Sequence, residues 1–138
     1  MKRVIIESPY AGDVAENMAY ARACLADSLR RGEAPLASHL LYTQPGVLDD
    51  DKADERALGI EAGHAWIACA DLVVVYHDLG VSQGMQAGMR RAFDEGKPVE
   101  FRRLTPRCPL LGIPYSDVNR LLNGWSEGFT TTEGDQHG

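Results

Sequence analysis

The segment Gly80-Val81-Ser82-Gln83-Gly84-Met85 sets a hydroxyl among small residues where an apolar run gives way to a helical pattern. Backbone N–H groups at such a helix start, with the Ser82 hydroxyl, could hold a phosphate or carboxylate, and Gly80, Gly84 and Met85 belong to the same loop. An ordinary capped helix needs the same residues, so the spacing alone leaves both readings open. The segment is neither a Walker loop, since no Gly-Lys-Ser/Thr occurs, nor a GxGxxG fingerprint. A second group lies near the start of the chain. Tyr10 could stack on a base, and Asn17 and Tyr20, three apart on one helix face, would reach the same crevice. The plainer alternative makes Tyr20 half-buried packing and leaves Asn17 solvated.

His39, His64 and His77 have no metal-ligand spacing, and no metal or cofactor is expected. Asp49-Asp50-Asp51 could hold magnesium beside a phosphate, although consecutive carboxylates at a helix start are usually a solvated cap. Arg102 and Arg103 could contact a ligand or a neighbouring subunit, but strand alternation keeps them from pointing the same way.

The elements that must position these residues follow from punctuation and periodicity. Val4-Ile5-Ile6, closed by Ser8-Pro9-Tyr10-Ala11-Gly12, reads as a buried strand. Asp13 is a helix N-cap, Val14, Met18, Ala21, Leu25 and Leu29 follow at helical spacing, and Gly32 ends that helix. Leu36 to Leu41 is read as a second strand, although Ser38 and His39 interrupt it. A helix is expected over about 52–70, with Leu58, Ala62, Ala65, Trp66 and Cys69 in register. Asp71-Leu72-Val73-Val74-Val75-Tyr76 is almost unbroken in its apolar character and should be a central strand buried on both faces. Ser82 caps a third helix carrying Met85, Met89, Ala92 and Phe93, and Pro98-Val99-Glu100-Phe101 opens a fourth strand. The alternation implies an α/β fold: a Rossmann-like open parallel sheet of four to five strands flanked by helices. One domain is expected over residues 1–129, with a short helix over 116–123 and a fraying tail over 130–138. In such sheets ligands collect beyond the C-terminal strand ends, so the loops at 8–17 and 77–85 matter most.

With 138 residues, 44% of them hydrophobic and 25% charged, the chain can fill one core. No apolar run approaches the roughly 20 residues that span a bilayer, and no signal peptide is read, so cytoplasmic residence is the expectation. Cys24, Cys69 and Cys108 suggest neither disulfides nor zinc, and Cys24 and Cys69 are read as small buried side chains. The net charge of -6 disfavours duplex nucleic acid, whereas a small anion at a helix start remains compatible with it.

Taken together, Ser8-Pro9-Tyr10-Ala11-Gly12, Ala70-Asp71-Leu72-Val73-Val74-Val75, Ser82-Gln83-Gly84 and Gly96-Lys97-Pro98-Val99 resemble the nucleoside 2-deoxyribosyltransferase superfamily over about residues 2–104. The resemblance is closest to its small phage and bacterial members of unknown function. It implies a loop serine, Ser82, that binds a ligand hydroxyl or phosphate, and a Glu six residues later that attacks the anomeric carbon. That position is Gly88, and an expected aspartate falls near Gly63, so neither carboxylate role carries over. Two replacements are open: Asp78, just beyond the central strand, and Glu61, close to Gly63. Asp78 has the better position, although bracing the turn is its commoner role.

Two functions therefore stand side by side. One is a nucleoside- or nucleotide-processing enzyme of the deoxyribosyltransferase or N-glycosidase type, with Asp78 or Glu61 as the acid. The other is a non-catalytic protein that binds or sequesters a nucleotide-derived ligand in the same crevice. A homo-oligomer is expected from the apolar residues Ile113, Val118, Leu121, Leu122 and Trp125, and the resemblance points the same way.

Overall fold

Four short segments have little choice but to pair in parallel, because a helix-forming stretch separates each from the next. A computed structural model describes residues 1–104 and Arg120, and residues 1–104 form one compact unit. Its strands are β1 (Arg3–Glu7), β2 (Ala34–Leu36), β3 (Leu72–Tyr76) and β4 (Val99–Arg102). They run parallel in the order β2-β1-β3-β4. Leaving β1, the chain moves to one side for β2 and crosses back for β3, so the C-terminal ends of β1 and β3 flank the switch point where a crevice opens.

Alternation along the strands sorts the two layers. Val4 and Ile6 of β1, with Leu72, Val74 and Tyr76 of β3, pack towards α1 (Val14–Arg30), meeting Ala21 and Cys24. Ile5 and Val73 face the other way, onto Ile67, Ala70 and Ala92. Ala92 belongs to α4 (Gln83–Asp94), and Ile67 to a 3-10 turn, Trp66–Cys69, that ends α3 (Ala53–Ala65). All of β3 is buried, as its apolar run requires.

Several expectations are corrected here. The run after Pro35 is a strand only to Leu36; Ala37 turns, and Ser38–Leu41 is a short helix, α2. Its last carbonyls are taken by side chains, Thr43 Oγ1 donating to His39 O (2.6 Å) and Gln44 Nε2 to Leu40 O (3.0 Å), which favours a helical turn over an extended chain. The fully buried positions of α1 are Asn17, Ala21, Cys24 and Ser28, while Val14 and Leu29 are exposed. Phe93, Leu58 and Trp66 are exposed as well. Cys69 is exposed rather than buried, because the 3-10 turn departs from the helical register that would have carried it inward.

Arg102 is engaged within the chain itself, at a position with little solvent exposure. Its buried guanidinium pairs with Glu33 (2.7 Å) and Glu100 (2.6 Å). The 113–125 segment, the 116–123 helix, the 130–138 tail and Cys108 lie outside the described residues. Among those residues, no helix is long and apolar enough to cross a membrane.

Candidate functional site

β1 ends in a charged residue. By the same alternation that places Ile5 on the α4 side, Glu7 projects onto that face and meets α4 at Gly88. The fit is close: a Cβ added to Gly88 would lie 2.1 Å from Glu7 Oε2 and 2.5 Å from its carboxyl carbon. The Glu7 carboxyl therefore fills the space a side chain at 88 would need. It has no hydrogen bond or ion pair among the described residues, and burial raises its pKa from 4.5 to about 8. Gly63 repeats the pattern on α3, since a Cβ there would come within 2.3 Å of Ser38 Oγ.

Glu7 forms part of the wall of a cavity of about 360 Å³ at the C-terminal edge of the sheet, enclosed by the ends of β1, α2, α3 and the start of α4. Tyr10 and Tyr42 contribute rings, and Ile6, Leu48, Ile60 and Met85 contribute apolar surface. The wall carries two other carboxylates. Asp50 pairs with Arg56 (3.0 Å), and Glu55 accepts from the Asp49 N–H (2.7 Å) and faces Lys52 (3.7 Å). Ser8 and His39, both on the wall, share a hydrogen bond of 2.7 Å between Oγ and Nε2.

Burial lowers the His39 pKa from 6.5 to about 4, so the folded protein holds this ring neutral at pH 7. An unfolded chain takes up the proton below pH 6.5, whereas the folded chain refuses it until about pH 4. The stability advantage of wild type over a His39→Gln variant is thus complete above pH 6.5 and should shrink by roughly 3 kcal/mol as pH falls to 4. Denaturant melts of both proteins at pH 7 and pH 4 check this, and a pH-independent difference would rule it out.

α4 begins where the cavity opens. Ser82 is its N-cap, with Oγ accepting from the Met85 N–H (3.2 Å), while the Ser82 N–H approaches Met85 Sδ (3.3 Å). The amides of Gln83 and Gly84, in the first turn, have no intrahelical partner by position. Gly80, just before the cap, has φ +93°, a conformation glycine adopts without strain.

Of the residues singled out in the sequence, Tyr10, Ser82, Gly84 and Met85 meet on the cavity wall. Asn17 and Tyr20 do not line it. Asn17 is buried rather than solvated, and its Nδ2 donates to the carbonyls of Tyr10 (2.9 Å) and Ala11 (3.0 Å), which fixes the loop bearing Tyr10. The Tyr20 hydroxyl donates to Asp78 Oδ1 (2.6 Å) and accepts from the Asp78 N–H (2.8 Å). Burial first, then that bond to Asp78, raise its pKa. Asp78 Oδ1 also accepts from the Leu104 N–H (2.9 Å), so this carboxylate braces the end of β3 against α1 and residue 104 and is off the wall. Glu61 is exposed on α3 and is off the wall too.

Sequence reasoning missed Glu7, His39, Ser8 and Tyr42. For Glu7 one signal existed: period-two alternation from Ile5 puts it on an inward face, where a charged residue needs a reason.

A family model described as a domain of unknown function, DUF7768, matches residues 2–102. No curated protein sequence matches the chain. Among solved structures, the fold is similar to a 2-deoxyribosyltransferase from the psychrotolerant bacterium Bacillus psychrosaccharolyticus, with 18% identity, 77% of this chain and 75% of that chain covered, and a TM-score of 0.54. A CMP N-glycosidase of Clostridium botulinum, BcmB, matches at 15% identity over 74% of this chain and 69% of its own, with a TM-score of 0.45. With the match to residues 2–102 taking in every described strand and helix of the sheet, the chain belongs to the DUF7768 family.

Proposed function

We propose that the cavity binds a nucleoside or nucleotide and that the protein acts at its N-glycosidic bond or a related ribosyl centre. The carrying observation is the composition of the wall, which combines Tyr10, Tyr42 and apolar side chains with the start of α4, where Ser82 and the Gln83 and Gly84 amides lie. A flat base suits the first, and a phosphate or sugar hydroxyl suits the second. The deoxyribosyltransferase of similar fold acts on a deoxyribosyl group by name, which supports the same ligand class. Tyr10, Ser82, Gly84 and Met85 are the contacts in this reading, with Asn17 and Gly80 shaping the loops that carry them.

One observation favours a non-catalytic version, in which the ligand is held and released unchanged. Asp78 and Glu61 both lie off the wall, so an enzyme would need its carboxylate from elsewhere. A homo-oligomer, argued from residues 113–125, is part of the proposal, as is residence in the cytoplasm.

Calorimetric titration with purine and pyrimidine nucleosides, 2′-deoxynucleosides and their 5′-monophosphates, with chromatography for released base, tests the reading. Binding of at least one class is expected, and no binding across the panel would overturn it. Ser82→Ala should weaken that binding by about 1 kcal/mol, roughly fivefold, and more if the contact is to phosphate. It also removes the α4 cap, worth about 1 kcal/mol of stability, so titration is done well below the melting temperature. Unchanged affinity in that variant would take Ser82 out of the site.

A further inference from the structure

The geometry points to Glu7 as the catalytic carboxylate of this cavity, attacking the anomeric carbon of the bound nucleoside from the end of β1. The inference rests on the reading of the cavity as a nucleoside site. Of the three wall carboxylates, Asp50 is committed to Arg56 and Glu55 to Lys52 and the Asp49 N–H, which leaves Glu7 as the one without a partner among the described residues. It stands at the C-terminal end of a central strand, where the crevice of this fold opens, and beside the Ser8–His39 pair. Its carboxyl also occupies the volume that a side chain at 88 would fill, so the glycine on α4 leaves room for it on the wall. A carboxyl shielded from water and left unpaired is destabilising, and such a group on a cavity wall is a candidate reacting centre.

The step conserves atoms and charge. A Glu7 oxygen bonds to C1′ as the C1′–N bond breaks; that electron pair leaves with the base, which takes a proton from solvent. Water then attacks C1′ of the glycosyl ester, the ester C–O bond returns its pair to Glu7, and the surplus proton passes to solvent. Nucleoside and water give free base and pentose, with no oxidant or further co-reactant. Attack requires the ionised form, and the raised pKa of Glu7 means that the rate should climb as pH rises from 6 to 9.

The test compares wild type, Glu7→Gln, Glu7→Ala and the double variant Glu7→Ala/Gly88→Glu on the nucleoside panel, with base release and calorimetric affinity measured on each. Glu7→Gln keeps shape and should lose at least about 100-fold in base release while its affinity stays within roughly threefold. The double variant, which puts a carboxylate back into the emptied volume from α4, should regain at least about tenfold over Glu7→Ala. Base release by Glu7→Gln close to wild type would overturn the assignment and leave the cavity reading standing. So would a wild type that binds nucleosides without releasing base, or a folded double variant no faster than Glu7→Ala. A wild type that neither binds nor cleaves would overturn both.

Discussion

Arg102→Met is expected to destabilise the protein by about 3–5 kcal/mol at pH 7, the range for removing one partner of a buried ion pair. The side chain of Arg102 is 5% exposed and makes a two-pronged contact with Glu33, Nη1 to Oε1 at 2.9 Å and Nη2 to Oε2 at 2.7 Å. Nε donates to Glu100 (2.6 Å) and Nη1 to the Tyr76 hydroxyl (3.2 Å). Tyr76 in turn donates to Asp27 (2.7 Å), and the Ser28 hydroxyl donates to Glu33 Oε1 (2.7 Å). One guanidinium thereby ties β4 and β3 to α1 and to the turn before β2. Methionine would leave Glu33, whose pKa the Arg102 bond holds at about 2, as a charge with little solvent around it. Urea melts decide the matter: a loss below about 1 kcal/mol would show the network to be marginal. Adding Glu33→Gln to the Met variant should recover part of the loss, because it removes the stranded charge.

Glu7→Gln is expected to raise stability at high pH, the reverse of the usual effect of touching a buried residue. The Glu7 pKa moves from 4.5 in the unfolded chain to about 8 in the folded one. Between those values the folded state holds one proton more than the unfolded state, so stability is greatest below pH 4.5 and falls as pH rises to 8. At roughly 1.4 kcal/mol per pH unit the full difference is about 5 kcal/mol, an upper figure because the cavity can admit water to the ionised carboxylate. The variant carries no such proton. Its melting curve should match wild type near pH 5 and lie above it by pH 9, and parallel stability profiles from pH 5 to 9 would contradict the burial of this carboxyl. Measured this way, the prediction stands apart from any activity, and a stability gain from removing Glu7 fits a residue kept for chemistry.

How much of this was visible in the sequence depends on how local each determinant is. β1 and β3 announce themselves as short apolar runs, and α1 and α4 through Asp13 and Ser82, whose caps form as expected, Asp13 Oδ1 accepting from the Glu16 N–H (3.1 Å). The parallel architecture follows from that alternation. α2 was not legible, because Leu36 to Leu41 is apolar enough for either state and the carbonyl contacts from Thr43 and Gln44 decide it. The loops of Ser82 and Tyr10 pointed to the C-terminal edge of the sheet, and both residues line the cavity there. Asp78 could not be separated from a catalytic role, since what engages it is Tyr20 on α1 and the Leu104 amide, both distant in the chain. Glu7 was hidden for the opposite reason: a charged residue after three apolar ones looks like a strand reaching solvent, and what covers it is a glycine, whose lack of a side chain carries no pattern.

Glu7 and Gly88 occupy a single shared volume, and this couples the two positions in any change of sequence. A Cβ at 88 meets the far end of a flexible side chain, so the carboxyl can turn aside, and what such a substitution changes first is where the carboxylate sits. Substitution at 88 therefore tunes the placement of Glu7 on the cavity wall while the cavity itself persists. Ligand capture and bond cleavage become separable properties of one pair of positions.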